Sequence, residues 1–331
     1  MTRRVMHTGL RVTALAVAVA LALPAAAQTA SFDPAAIYAR AAPAVAVVRT
    51  VHDGRTGVGT AFAISPDGHL LTAAHVARRA DRITVTSPGG RPQAARLVGY
   101  DARRDLAVLG VEADRPVPHL RVSDEHVRVG DPVAVIGTPR GRPGVMTVGE
   151  VLDTDTTLPG LVPGILVRFS APVAPGSSGG PVLNARAEAI GVVVAASTRP
   201  GATGGLAVSG PTISASLPSL LEGARTERAW IGIVGTSVTP ELAAERGLPV
   251  TRGVLVVEVV PGSPAFRAGL RGGADNGAGG DVLTALDEAP LGGMEDLLRA
   301  VGERVPGQRV RLRVIRGERV LNVELVLGIR P

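Results

Sequence analysis

The segment Val173–Leu183, with the sequence VAPGSSGGPVL, holds two adjacent serines among glycines and prolines. A serine hydroxyl becomes a nucleophile only when a neighbouring base removes its proton, and the attacked carbonyl then needs hydrogen-bond donors. Glycine permits the sharp turns that aim backbone N–H groups at the developing charge. In the register we favour, Ser178 carries the hydroxyl, and the N–H groups of Gly176 and Ser178 face the oxyanion. An ordinary Gly-Ser turn is the alternative interpretation.

The base must be a histidine, because the sequence contains neither cysteine nor lysine and all 35 basic residues are therefore arginine. This composition also excludes disulfides, a thiolate nucleophile, a Ser-Lys dyad and a Walker-type phosphate loop. Among the six histidines, His75 ends the apolar run LLTAAHV, which we predict to be a strand; a structural histidine is the alternative. Asp105 opens the apolar stretch DLAVLGV and could orient the imidazole. A turn cap and Asp101, four residues earlier, are the competing interpretations.

Short strands separated by turns about every 8–12 residues are predicted between Ala44 and Ser197, a pattern typical of paired β-barrels or a β-sandwich. Helices are predicted at Pro34–Ala41 and within Ser216–Arg228, the second running into a polar linker. After Trp230 the pattern changes to strands mixed with two helix-like stretches, SPAFRAGL and MEDLLRAVGERV. The predicted organisation is an export signal over residues 1–27, a β domain over 28–220, a linker over 221–228 and an α+β module over 229–331.

The order His75, Asp105, Ser178 within one β-rich region is the order of chymotrypsin-type serine proteases. The segments GTAFAISPDGHLLTAAHV, YDARRDLAVLGVE and APGSSGGPVLN resemble, more closely, the HtrA/Deg family of these proteases. The resemblance implies an all-β double barrel in which His75 is general base and acid, Asp105 orients it and Ser178 forms the acyl-enzyme. It implies no cofactor and no metal. It also implies a homotrimer or higher homo-oligomer, with the segment before Val45 as a candidate interface.

The sequence departs from the family pattern near the nucleophile. Ser177 stands where the family usually has asparagine, and RFSAPVA and LAVSG replace more familiar segments. Six residues before Ser178, where a trypsin-like enzyme carries a carboxylate, this chain has Pro172. We therefore expect an apolar primary pocket for small or medium aliphatic side chains. The alternative is a loop that folds in and blocks the pocket.

The segment AWIGI, the segment GVLVVEVVPGSPAFRAGL and the helix predicted from Met294 resemble a PDZ domain of the HtrA type. The resemblance implies that Ile231, Gly232 and Ile233 form the loop that binds the terminal carboxylate of a peptide, which adds as a strand to the sheet edge. A buried strand start with a packing tryptophan is the alternative. The Gly-rich segment Gly272–Gly280 is predicted to be a surface loop, and we assign it no role.

The first 27 residues have two early arginines, an apolar run over Val12–Leu23 and small residues suited to cleavage. They are typical of an export signal, and the apolar run is short for a membrane span of about 20 residues. We therefore favour cleaved export to the periplasm or envelope over a retained N-terminal anchor. Clustered basic residues with interleaved aromatics are missing, so nucleic acid is not an expected partner.

Two function hypotheses follow from this sequence. The first is an exported, ATP-independent serine endopeptidase that hydrolyses misfolded or damaged envelope proteins and binds peptide C-termini through its PDZ domain. The second is a catalytically silent peptide-binding or chaperone-like scaffold. We favour the first hypothesis, because no group that the mechanism needs is missing. A covalent probe for an activated serine separates the two.

Overall fold

The structure, a computed structural model, describes residues 31–158, 161–162, 164–197, 204–273 and 279–330. The predicted export signal lies outside the described residues, as does the middle of Gly272–Gly280. Within the described ranges, no helix is long and apolar enough to cross a membrane.

The first barrel follows a short helix, α1 (Pro34–Ala41), that begins where the sequence predicts it. Its N-terminus is set by Asp33, whose carboxylate accepts the N–H groups of Ala35 and Ala36, a standard helix cap. Six strands follow: β1 (Val45–His52), β2 (Arg55–Ala63), β3 (His69–Ala73), β4 (Arg82–Thr86), β5 (Gln93–Asp101) and β6 (Leu106–Gly110). Their neighbour order is β5-β4-β1-β2-β3-β6, and pairing of β5 with β6 closes the barrel.

The second barrel consists of β7 (Pro132–Gly137), β8 (Val145–Thr156), β9 (Leu166–Phe169), β10 (Pro181–Leu183), β11 (Ala189–Ala196) and β12 (Gly205–Ser209). These strands also close, in the order β10-β11-β12-β9-β8-β7. One apolar cluster joins the barrels, with Phe62 and Leu71 from the first packed among Ile136 and Leu166 from the second. The predicted double barrel is therefore confirmed, and the sandwich is excluded.

The predicted strand over His69–Val76 is wrong at its end. β3 stops at Ala73, and a single helical turn, α2 (Ala74–Ala77), carries His75. Asp105 is the cause, because its carbonyl accepts the N–H of Ala74 and its carboxylate accepts the N–H of His75. These two N–H groups would otherwise be unpaired at the start of the turn.

The predicted helix within Ser216–Arg228 is also misplaced. The helix, α3 (Gly210–Leu221), begins earlier, with a proline in its first turn, a position that suits the fixed φ of proline. The chain then forms a two-residue strand, β13 (Arg225–Thr226), which pairs in parallel with the end of β5. The segment predicted to be a polar linker therefore lies against the first barrel.

The C-terminal module contains strands on two sheets and three helices. The strands are β14 (Ala229–Trp230), β15 (Ile233–Ser237), β16 (Val254–Val259), β17 (Val282–Leu286), β18 (Ala289–Pro290), β19 (Arg309–Arg316), β20 (Arg319–Val326) and β21 (Gly328–Ile329). The helices are α4 (Pro240–Arg246), α5 (Pro264–Arg267) and α6 (Met294–Gly302). In the main sheet the order is β15-β16-β17-β19-β20, so that β15 lies at one edge.

The ends of the Gly-rich segment are held together by Asp281, which is fully buried. Its carboxylate accepts two hydrogen bonds from Arg316 and one from the N–H of Arg271, and its own N–H donates to the carbonyl of Arg271. A buried carboxylate needs this degree of pairing. The insertion is therefore tied to the sheet at its base.

Candidate active site and peptide groove

His75 and Asp105 form a directly hydrogen-bonded pair. The ring Nδ1 of His75 lies 2.7 Å from Oδ2 of Asp105, and the backbone N–H of His75 donates to Oδ1 at 2.8 Å. An ionised carboxylate only accepts hydrogen bonds, so Nδ1 carries the proton in the neutral ring and Nε2 is left unprotonated. The pair therefore presents a basic nitrogen on the side of the ring away from Asp105.

Some neighbours of His75 raise the pKa of its imidazole and others lower it. Partial burial lowers the pKa of the imidazole, whose side chain is still 46% exposed, whereas the hydrogen bond and the negative charge of Asp105 raise it. The positive charges of Arg228 and Arg78 lower it further. The contribution of Asp105 prevails, so the pKa of His75 lies above its ordinary value of 6.5.

The competing carboxylate, Asp101, does not contact His75. Its Oδ1 accepts the N–H groups of Arg103 and Arg104, and its Oδ2 pairs with the guanidinium of Arg104. Asp101 therefore stabilises the turn that leads to Asp105, which has the left-handed φ of 57°. Aspartate tolerates that conformation better than most residues.

The loop with Ser177 and Ser178 lies between the two barrels and is held by Thr60 of β2. The N–H of Thr60 donates to the carbonyl of Ser178 at 2.8 Å, and its hydroxyl donates to the carbonyl of Gly176 at 2.7 Å. The N–H of Thr138, just after β7, donates to the same hydroxyl. One side chain thus connects the loop of Ser178 to both barrels, and sequence reasoning missed it.

The two serines differ in environment. Ser177 is buried, and its Oγ accepts a long hydrogen bond from the N–H of Ala174, while Ser178 is half-buried. Among the described residues, no hydrogen bond joins Ser178 Oγ to His75. Catalytic hydrogen bonds are often long before substrate binds.

Backbone N–H groups in this loop alternate between bonded and unbonded among the described residues. The N–H of Ser177 donates inward to the carbonyl of Ala174, while those of Gly176 and Ser178 donate to no other residue that the structure describes. Gly176 has a φ of 99°, and a Cβ there would lie 2.3 Å from the carbonyl oxygen of Thr138. Only glycine fits at this position, and the two N–H groups predicted to face the oxyanion have no partner among the described residues.

Pro172, predicted to be at the specificity pocket, is exposed, and its carbonyl accepts the hydroxyl of Thr147. The next residue, Val173, packs towards the second barrel. A Cβ on Gly205 would lie 2.7 Å from Val173 and 2.8 Å from Phe169. The side chains next to Gly205 are therefore apolar.

The predicted carboxylate loop lies at one end of a groove of about 170 Å³ between β15 and α6. Gly232 has a φ of 93°, and a Cβ there would lie 2.1 Å from that of Ser263. The carbonyl of Gly232 accepts the N–H of Val260 and the hydroxyl of Ser263. Apolar side chains line the groove: Ile231, Ile233, Met294, Leu297, Leu298 and Val301. Trp230 and the arginines Arg228 and Arg330 complete its wall.

Three charged residues near the catalytic pair were missed by sequence reasoning. Glu227 accepts hydrogen bonds from the hydroxyl of Tyr100 and from Arg78, and Arg228 donates two hydrogen bonds to the carbonyl of Ala102. The sequence signal of Glu227 and Arg228 is weak, because their segment ARTER is typical of a solvated linker.

Comparisons with known proteins agree with this geometry. A family model described as a trypsin-like peptidase domain matches residues 59–192, and a PDZ domain model matches residues 230–327. Two relatives are named probable periplasmic serine endoprotease DegP-like. The one from Halomonas elongata is 35% identical and aligns over 84% of this chain and 57% of its own length. The one from Rhizobium meliloti is 34% identical, over 82% and 53%. The chain thus spans a little over half the length of these curated relatives.

Solved structures match over most of both chains. The HtrA-type protease AlgW with a decapeptide is 29% identical, with a TM-score of 0.61, covering 90% of this chain and 98% of its own. The same protease with a tripeptide is 31% identical, with a TM-score of 0.58, covering 90% and 97%. The chain, a double-barrel trypsin-like domain followed by one PDZ domain, therefore belongs to the HtrA/Deg family.

Proposed function

We propose that this protein is a serine endopeptidase whose catalytic groups are His75, Asp105 and Ser178. The observation that carries the proposal is the double hydrogen bond from His75 to Asp105, which leaves a basic Nε2 in the domain that holds the glycine-flanked Ser178. The family membership and the relatives named serine endoproteases support it.

The proposed reaction follows from these positions. Nε2 of His75 takes the proton of Ser178 Oγ while Oγ attacks the scissile carbonyl carbon. The N–H groups of Gly176 and Ser178 stabilise the oxyanion, and Asp105 stabilises the imidazolium. The imidazolium then protonates the leaving amine, so the peptide bond breaks and an acyl-enzyme remains. Water, deprotonated by His75, hydrolyses the ester and restores Ser178.

The remaining assignments belong to the same proposal. The domains are an export signal over 1–27, a protease domain over 28–220, a linker over 221–228 and a PDZ domain over 229–331. Relatives named as periplasmic support export to the periplasm or envelope. There we propose unfolded or damaged proteins as substrates, peptide C-termini as ligands of the loop Ile231–Ile233, and a homotrimer as the smallest assembly.

Replacement of the nucleophile separates the protease from a silent scaffold. In Ser178→Ala we expect labelling by a fluorophosphonate probe to disappear and turnover to fall by about six orders of magnitude, by analogy with loss of other triad nucleophiles. The matched variant Ser177→Ala should still label, because that hydroxyl is buried and bonded within the loop. Labelling that survives in the first variant and vanishes in the second would refute the assignment of Ser178. A wild type that never labels supports the scaffold.

The pH dependence of kcat/KM reports the state of His75, which must be neutral to act as a base. Its pKa is raised, so the proton stays on to higher pH, and we expect the acid limb to have a midpoint above 6.5. Asp105→Asn removes the charge and should move the midpoint to lower pH while turnover drops roughly 10⁴-fold. His69→Gln, at the other end of β3, removes a different histidine and should leave the midpoint in place. A midpoint unmoved by Asp105→Asn contradicts the role of Asp105.

Cleavage preference tests the apolar pocket. No Asp or Glu occurs between Asp155 and Glu188, and Val173 and Phe169 present apolar surface beside Gly205. We expect peptides with Val, Ala or Leu before the cut to be hydrolysed faster than otherwise identical peptides with Arg, as measured by kcat/KM across a matched series. A preference for Arg would show that another carboxylate serves the pocket.

Peptide binding by the groove depends on the turn at Gly232. Gly232→Ala places a Cβ against Ser263 and should displace an N–H donor for the carboxylate. A hydrogen bond to a charged group contributes about 1.5–3 kcal/mol, so affinity for a peptide with an apolar C-terminus should fall roughly ten- to hundredfold. Calorimetric titration measures this, with the C-terminally amidated peptide as control. Equal affinity for the acid and the amide would exclude carboxylate recognition.

A further inference from the structure

The linker before the PDZ domain holds both members of the catalytic pair in place. On one side, the N–H of Ala102 donates to the carbonyl of Thr226 at 2.8 Å. The carbonyl of Ala102 in turn accepts Nε and Nη2 of Arg228 at 3.1 and 2.8 Å. Both backbone polar groups of Ala102, a buried residue three positions before Asp105, are therefore bonded to the linker.

The turn between Ala102 and Asp105 transmits this constraint to the carboxylate. The side chain of Asp101 accepts the N–H groups of the two intervening residues. Asp105 itself is held left-handed and bonded through both carboxylate oxygens to His75. The turn has little freedom, so displacement of Ala102 moves Asp105 with it.

On the other side, the neighbouring linker residue reaches the helical turn that carries His75. Glu227 accepts the hydroxyl of Tyr100 at 2.5 Å and pairs with Arg78 at 3.1 Å. Arg78 immediately follows α2, three residues after His75. Two consecutive linker residues thus hold the base and its orienting acid from opposite sides.

We propose that Arg228 is a positioning residue for catalysis, which fixes the Asp105 carboxylate on His75 by bracing the carbonyl of Ala102. A planar guanidinium can donate two bonds to one oxygen in a fixed geometry, whereas a lysine ammonium cannot reproduce that fork. This inference rests on the proposed function of the triad. It assigns a catalytic requirement to a residue outside the barrels and outside the three catalytic groups.

Charge provides a second, separable effect. The charged groups that act on His75 are Asp105, which raises its pKa, and Arg228 and Arg78, which lower it. Removal of the Arg228 charge should therefore raise the pKa of His75 and shift the acid limb of activity to higher pH. A substitution that keeps the positive charge but loses the two guanidinium donors to Ala102 should reduce the reaction rate without shifting the acid limb.

The test measures the second-order rate of fluorophosphonate labelling of the full chain against pH. In Arg228→Met we expect the plateau rate to fall roughly 10- to 100-fold, since a displacement of about 1 Å at a catalytic group has an effect of that order. The acid limb should also move to higher pH. In Arg228→Lys the plateau labelling rate should fall, while the acid limb of the pH profile stays near that of the wild type. Arg225→Met, at an exposed position three residues earlier in the same linker, is the matched control and should behave as the wild type.

The outcomes distinguish the possible failures. If the wild type labels and both variants at Arg228 match Arg225→Met, the positioning role is refuted while the triad stands. A second failure is a fall in the plateau labelling rate of both variants while the acid limb of the pH profile stays in place and thermal unfolding shows a lowered Tm. In that case Arg228 is only structural and the inference is overturned. If the wild type does not label, the proposed function itself fails.

Discussion

The carboxylate of Asp105 accepts two hydrogen bonds from a single residue, the backbone N–H and the ring of His75. The backbone bond fixes where the histidine starts its helical turn, and the ring bond fixes which nitrogen carries the proton. Neither bond alone would do both, because a freely rotating imidazole could offer either nitrogen. The geometry needs Asp105 in a left-handed conformation at the head of β6, which costs backbone energy that the surrounding contacts must offset.

The two barrels position the residues that make the contacts around Asp105. The first barrel supplies the histidine and aspartate from its β3 and β6 ends, and the second supplies the loop of Ser178. The hydroxyl of Thr60 bridges the barrels, since it donates to the nucleophile loop and accepts from the N–H of Thr138. A rigid first barrel alone would not set the distance between His75 and Ser178. The shared core and this one hydroxyl link the two halves.

Local signals in the sequence predict much of this fold, and non-local bonds explain two of the errors, at α2 and at β13. Asp33 and the proline after it indicate the start of α1, because a helix cap involves only neighbouring residues. α4 was missed although Thr239 caps it and Gly247 ends it with a left-handed φ, signals that are equally local. The helical turn at His75 could not be predicted, because its cap is provided by Asp105, thirty residues away. β13 has no pattern of its own and exists only because Tyr100 and Ala102 bond to it.

The candidate site shows the same division between local and non-local information. The chain order of His75, Asp105 and Ser178 was sufficient to identify the candidate triad, whereas the bracing by Glu227 and Arg228 depends on contacts across more than a hundred residues. Those contacts make the electrostatics of His75 a balance between one carboxylate and two arginines, and Arg228 also lies on the wall of the peptide groove. Arg228 therefore lies both beside the segment that leads to Asp105 and on the wall of the groove next to α6. The positive charge of Arg228 lowers the pKa of His75, whereas Asp105 raises it. The basicity of His75 therefore depends on the packing of the linker as well as on Asp105.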